Sequence, residues 1–262
     1  LSRLVYQKVL TLDPKVEQHE LGVFGANYKL AVLITIFIQI FRLAAEPFFF
    51  NQSKTEGAQK SYARVMKFFV IACCLMFLSI SLFLEAWKLL IAWKYPEYGE
   101  GIHIVPILSM GSVFLGIYYN LSVWYKLTNR NMTGAYITIA GAVITIVLNI
   151  ILIPYLHYTG AALATFLCYL FMMVINYYLG QKHHPVPYAK KKLLTYIVIS
   201  ALLYGIHEAI MYPMSDKAGY YYYVYFATAL LLLGLFSWLI LKVEKKEFIK
   251  LPYVGKYVAR LV

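Results

Sequence analysis

Charge is what this sequence has least of. Of its 262 residues, 14% are Asp, Glu, Lys or Arg and 61% are hydrophobic, whereas an ordinary soluble domain is about 25% charged and about 45–50% apolar. A chain of 30 kDa cannot bury that excess in a water-soluble core, so a soluble enzyme, a disordered tail and a fibrous protein are excluded. Cysteine is scarce too. Cys73, Cys74 and Cys168 all fall inside apolar runs, so they indicate small buried hydrophobes rather than a disulfide framework or a metal site. Acidic residues number 12 against 24 basic ones. On so apolar a background the basic excess points to membrane topology rather than to nucleic acid. No phosphate-binding Gly loop, dinucleotide fingerprint, His-Glu-x-x-His or Gly-x-Ser-x-Gly motif is present.

What the sequence has in abundance is long apolar runs. A bilayer-spanning helix needs roughly 20 mostly apolar residues, and seven stretches qualify, at about 27–50, 64–90, 103–126, 131–154, 160–180, 193–212 and 219–241. Ile104–Tyr125 and Ala218–Leu241 contain no charged residue at all. The charge-free run from Asn131 to Gln181 is too long for one crossing, and Pro154 with Tyr158-Thr159-Gly160 marks a break into two helices joined by a tight turn. The runs are continuous rather than alternating, which disfavours a β-barrel. The expected fold is all-α and polytopic. Residues 1–20 are the end of a truncated transmembrane helix and an outer loop, 21–241 a seven-helix bundle, and 242–262 a basic cytoplasmic tail able to lie on the membrane surface. Leu1 does not look like a natural beginning, so an N-terminal part is expected to be missing.

Alternation of seven helices puts sixteen basic residues on one side: Lys54, Lys60, Arg64, Lys67, Lys126, Arg130, Lys182, Lys190 to Lys192, Lys242, Lys245, Lys246, Lys250, Lys256 and Arg260. The other side holds Lys15, Lys29, Lys94 and Lys217 beside six acidic residues. The basic side, with the C-terminus, is therefore expected in the cytoplasm, and its lysines attract anionic lipid headgroups. Trp87, Trp93, Tyr95, Tyr98, Trp124, Tyr125 and Tyr220 to Tyr223 gather at helix ends, as interface anchors do.

Ionisable groups inside the spans are the functional candidates, because they are costly in hydrocarbon. Arg42 and Glu46, four residues apart, share a helix face and are expected to pair. Pro47 removes a backbone donor beside Glu46 and is expected to kink the helix toward an inner cavity. The competing reading is a structural pair that snorkels at the cytoplasmic end. Arg3 belongs to the truncated helix as an anion partner or an interfacial anchor. Asn120 and Asn149, amides in otherwise apolar helices, are cavity candidates for substrate binding, with hydrogen bonding between helices as the default account. Glu85, Lys88, His207 and Glu208 read as interfacial, and His183-His184 as solvated in a Pro-rich loop.

Leu148-Asn149-Ile-Ile-Leu-Ile-Pro154, followed by Gly160-Ala161-Ala162-Leu-Ala164-Thr165 and Tyr169, resembles a signature of the polysaccharide-biosynthesis transporters. These are flippases for lipid-linked O-antigen and capsule repeat units, in the superfamily that includes MATE multidrug exporters. Gly22 to Pro47 and Gly116 to Lys126 are similar to the same family. Ser2-Arg3 stands where such proteins often carry Asp-Arg, so Ser2 is a departure.

The resemblance spans nearly the whole chain and implies the second seven-helix bundle of a fourteen-helix MATE-like fold. Its two bundles rock about a central cavity, and the other bundle belongs to the missing N-terminal half of the same chain. It further implies a multi-pass protein of the bacterial inner membrane. That protein flips undecaprenyl-pyrophosphate-linked oligosaccharides to the outer leaflet, is not an enzyme, needs no cofactor or metal, and has a proton or sodium ion as a candidate coupling partner. Arg3 and Arg42 would face pyrophosphate and Glu46 the coupling ion, while Gly160, Ala161 and Ala162 would allow close helix packing. The rivals are a MATE-like cation-coupled drug exporter, disfavoured by scarce mid-membrane carboxylates, and a membrane enzyme of glycan assembly, disfavoured by short outer loops.

Overall fold

The computed structural model describes residues 14–214 and 220–249, and every regular element among them is helical. In chain order these are α1 (Pro14–Gln52), α2 (Ala58–Ser81), α3 (Leu84–Ile91), a 3-10 segment (Pro96–Ile104), α4 (Val105–Leu121), α5 (Val123–Leu127), α6 (Asn131–His183), α7 (Lys190–Met211), a short 3-10 turn (Tyr212–Met214), α8 (Tyr221–Val243) and α9 (Lys245–Phe248). Six of these helical stretches are long and apolar enough to cross a membrane. A lipid environment selects such elements because a helix satisfies its own backbone donors and acceptors.

Several boundaries differ from the sequence reading. Residues 14–20, expected in a loop, belong to α1. At its other end α1 runs through Pro47, as the expected 27–50 span does, and stops at Gln52. The stretch expected as one helix over 64–90 ends at Ser81, and Leu82–Phe83 redirects the chain into α3.

The long α6 doubles back. His157 adopts a non-helical φ of 49° and ψ of −134°, inside the expected Pro154 to Gly160 break. Cys168 Sγ lies 3.2 Å from the Gly141 carbonyl 27 residues earlier, whereas a straight helix would separate them by about 40 Å at 1.5 Å per residue. α6 is therefore two antiparallel arms, 131–156 and 158–183. At the turn, a Cβ on Gly160 would stand 2.6 Å from the Leu152 carbonyl oxygen, so only glycine lets the returning arm pass so close. Next to it, Ala161 is buried with Ile153 beside Leu21 and Phe24, and Ala162 with Ala31, Ile104 and Leu108. The small face thus seats the second arm against α1 and α4.

α4 is the axis of the bundle, with nearly every side chain buried among α1, α2 and α6. The main core joins Ile34 and Ile38 of α1, Phe69, Cys73, Cys74 and Phe77 of α2, Val113 and Ile117 of α4, and Leu203, Leu232 and Phe236 of α7 and α8. The three cysteines are buried and free. Outward faces stay apolar: Ile36, Ile40 and Leu43 of α1, Ile139, Val143 and Val147 of α6, Leu202 and Ile206 of α7 and Leu230 and Leu231 of α8 are exposed. In water such stripes would be an aggregation hazard, and in hydrocarbon they are the expected lipid-facing surface.

Candidate functional site

The two ends of the bundle differ in charge. At one end Glu20 accepts from the Tyr158 amide at 3.1 Å, His19 stands 3.3 Å from Glu100, and His103 Nε2 lies 3.1 Å from Thr159. The other end is basic and contains the candidate site.

There α1 brings Arg42 and Glu46 to the junction of α4 and α5. Lys126 Nζ donates to Glu46 Oε1 at 2.6 Å, and the Arg42 guanidinium lies 4.9 Å from the centre of the Tyr119 ring. The expected Arg42–Glu46 pair is not made: among the described residues no ion pair joins them. The reason is geometric. Lys126, arriving from a separate element, offers Glu46 a direct charge-assisted bond, while Tyr119 gives the Arg42 plane a π face, as suits a guanidinium.

Arg42, Glu46, Tyr119, Asn120 and Lys126 line one cleft, walled by Ile38, Phe41 and Phe69. Asn120 is buried and its Nδ2 has no hydrogen-bond partner, so the expected interhelical bond is not made through that nitrogen. An unsatisfied buried amide costs about 1–3 kcal/mol, and Asn120 is among the residues that line the cleft. The free space is about 20 Å³, enough for about one water molecule.

The other sequence candidates lie elsewhere. Asn149 is buried on the first arm of α6, where it donates to the Thr145 carbonyl of its own helix at 2.8 Å. This corrects the interhelical expectation, because a carbonyl one turn back is always within an Asn side chain's reach. Pro47 is exposed on α1. Pro154, Gly160, Ala161 and Ala162 shape the α6 turn and its packing. Arg3 and Ser2 lie outside the described residues, as does tail 250–262. His183, expected in solvent, stacks on Trp124 with ring centroids 5.4 Å apart and planes 8° apart. His207, expected at the interface, is fully buried against Tyr225 because α8 packs over that face of α7.

Sequence reasoning missed two features at this end of the bundle. Asn176 is fully buried; it accepts from Trp124 Nε1 at 2.8 Å and donates to the Tyr118 carbonyl at 3.0 Å, tying α5 and α4 to α6. Its signal was an amide in an apolar run, the same that marked Asn149. Glu244, at the C-cap of α8, accepts from Lys67 at 2.6 Å, Lys192 at 2.9 Å and Tyr196 at 2.6 Å, and is 2% exposed. Burial alone pushes the Glu244 carboxyl up. The bonds from Lys67, Tyr196 and Lys192 outweigh it and hold the group below its ordinary range. No three His, Cys, Asp or Glu side chains among the described residues are grouped to hold a metal ion.

No family model matches this chain, and no curated protein matches it.

Proposed function

We propose that this chain is part of a transporter that moves a lipid-linked oligosaccharide, carried on undecaprenyl pyrophosphate, from the cytoplasmic to the outer leaflet of the bacterial inner membrane. The two arms of α6 counted separately give seven crossings, which we assign to one of the two bundles of a MATE-like fold, with the basic end and the C-terminus in the cytoplasm. No bond is made or broken. The task is to take a charged pyrophosphate and a polar glycan through hydrocarbon, and a hydrated cavity between bundles does so while the lipid tail stays outside.

The observation that supports this reading is the cleft itself. Two cations, Arg42 and Lys126, a carboxylate, Glu46, and an unsatisfied buried amide, Asn120, converge at the basic end of otherwise apolar helices. Ionisable groups gathered between otherwise apolar helices are functional candidates. Guanidinium and ammonium groups suit a pyrophosphate, and Glu46, released from Lys126, suits a proton or sodium ion. A cleft with room for about one water admits no headgroup, so loading requires a wider state, as alternating access provides.

The test uses the full-length gene. Its deletion is expected to trap lipid-linked precursors on the cytoplasmic leaflet and to abolish surface glycan, with drug tolerance unchanged. Arg42→Ala and Glu46→Ala, expressed at normal levels, are expected not to restore export. Normal export in the deletion strain with sharpened drug sensitivity would replace the glycan by a drug as substrate.

A further inference from the structure

α7 opens with three lysines, Lys190-Lys191-Lys192, and then turns apolar. Successive residues on a helix are about 100° apart, so the three ammonium groups fan around its N-terminus instead of sharing a face. Beneath them lie two open grooves, one on each side of the helix. The first, about 300 Å³, runs from Lys190 past Leu193, Leu194 and Ile197 against Val174 and Tyr177 of α6. The second, about 220 Å³, runs from Lys191 and Lys192 past Thr195 and Ile199 against Phe236 and Leu239 of α8. Each descends about two turns, roughly 10 Å, and both open outward, with Leu194, Tyr178 and Val243 exposed on their rims.

We propose that this end of α7 is a binding site for a two-chain anionic phospholipid, whose phosphate rests on Lys190 and Lys191 and whose chains straddle the helix, one in each groove. The charge on the page selects that occupant. Lys192 is committed to Glu244, whereas among the described residues no ion pair joins Lys190 or Lys191 to a carboxylate; Lys190 Nζ lies 5.5 Å from the Tyr177 ring centre. The first backbone N–H groups of α7 have no side-chain cap and add the positive end of the helix dipole. Apolar troughs beneath a cationic crown match a phosphate above hydrocarbon, and two troughs on opposite sides of one helix match two chains. The site is separate from the Arg42 cleft and does not depend on the transport reading.

The experiment uses the full-length protein in neutral detergent, titrated with phosphatidylglycerol, phosphatidylcholine or lysophosphatidylglycerol and read by native mass spectrometry. Phosphatidylglycerol is expected to bind most tightly. Lys190→Gln with Lys191→Gln spares the Lys192–Glu244 bond, so the fold is expected to hold. At about 1 kcal/mol per lysine near an anionic surface, or about fivefold each, the pair is expected to weaken phosphatidylglycerol about 25-fold and phosphatidylcholine hardly at all. Val174→Trp and Thr195→Trp, each filling one groove, are each expected to weaken the two-chain lipid several-fold while melting as wild type. Equal binding of phosphatidylcholine, unchanged binding by the double variant, or lysophosphatidylglycerol binding as tightly as the two-chain lipid would each overturn the proposal.

Discussion

Lys67 and Glu244 are 177 residues apart in sequence and 2.6 Å apart in space. Both are buried, and Lys192 and Tyr196 close on the same carboxylate. One side chain at the end of α8 therefore fastens α2 and α7 to it at the basic end, with Arg64–Glu247 at 3.1 Å as an outer, more exposed companion.

Breaking this clasp from one side is expected to be costly. Lys67→Met leaves Lys192 and Tyr196 on Glu244, whereas Glu244→Gln strips the carboxylate from a buried ammonium; losing one partner of a buried pair costs about 3–5 kcal/mol. Glu244→Gln is thus expected to lower the melting temperature more than Arg64→Gln, whose half-exposed pair is worth less than about 1 kcal/mol. The pH dependence has a definite sign. The folded carboxyl titrates below its ordinary value of 4.5, so its contribution is complete above that value and is lost as pH falls through the folded pKa. Melting curves between pH 6 and pH 3 are expected to fall more steeply for wild type than for Glu244→Gln.

The clasp also shows where sequence reading stops. Glu244 follows a long apolar run in a lysine-rich segment, where a solvated charge is the ordinary expectation; that three partners meet it depends on how α2, α7 and α8 assemble. The helices themselves were legible, because hydrocarbon leaves a chain with few structural choices. The α6 break was legible from Pro154 and Gly160, although the residue that takes the unusual backbone is His157. Arg42 and Glu46 were legible as candidates from their helix spacing. Their partners, Tyr119 and Lys126, were not, since spacing within one helix says nothing about what another helix brings.

The Glu46–Lys126 pair separates function from stability. Its two side chains are 34% and 28% exposed, so breaking it is expected to cost less than about 1 kcal/mol. Glu46→Gln and Lys126→Gln are therefore expected to melt within a few degrees of wild type. If the cleft carries transport, both lose glycan export in a complementation assay despite normal protein levels. Arg42→Lys is expected to be impaired too, because an ammonium keeps the charge but gives up the planar fork and its stacking on Tyr119. Full export by all three would remove the cleft from the mechanism.

The α6 turn predicts a contrast between two glycines. A Cβ at Gly160 meets backbone, 2.6 Å from the Leu152 oxygen; at Gly141 it meets the Met172 sulfur at 2.7 Å. Backbone at a tight reversal has nowhere to go, while a thioether on three rotatable bonds adapts. Gly160→Ala is expected to cost about 1–3 kcal/mol, as overpacking does, and to reduce folded protein in the membrane. Gly141→Ala is expected to be markedly milder. Equal melting temperatures for the two variants would mean that the arms are not held as closely as this turn requires.

Asn176 offers a test of polar satisfaction inside the bundle. It is fully buried, it accepts the Trp124 indole N–H, and it donates to the Tyr118 carbonyl. Asn176→Leu keeps the branched outline of the side chain but is larger and leaves both groups without partners, a penalty of about 1–3 kcal/mol for each buried group left unsatisfied, with overpacking added. Asn176→Asp keeps the acceptor for Trp124, yet it places a carboxylate against the Tyr118 carbonyl in an apolar surrounding, which is worse still. The expected order of melting temperature is Asn, then Leu, then Asp, with Trp124 fluorescence shifting in the Leu variant as the indole loses its acceptor. If Leu melted with wild type and left the emission unchanged, the amide would not be bridging α4, α5 and α6. The Trp124–His183 stack beside the cleft would then rest on ring contact alone.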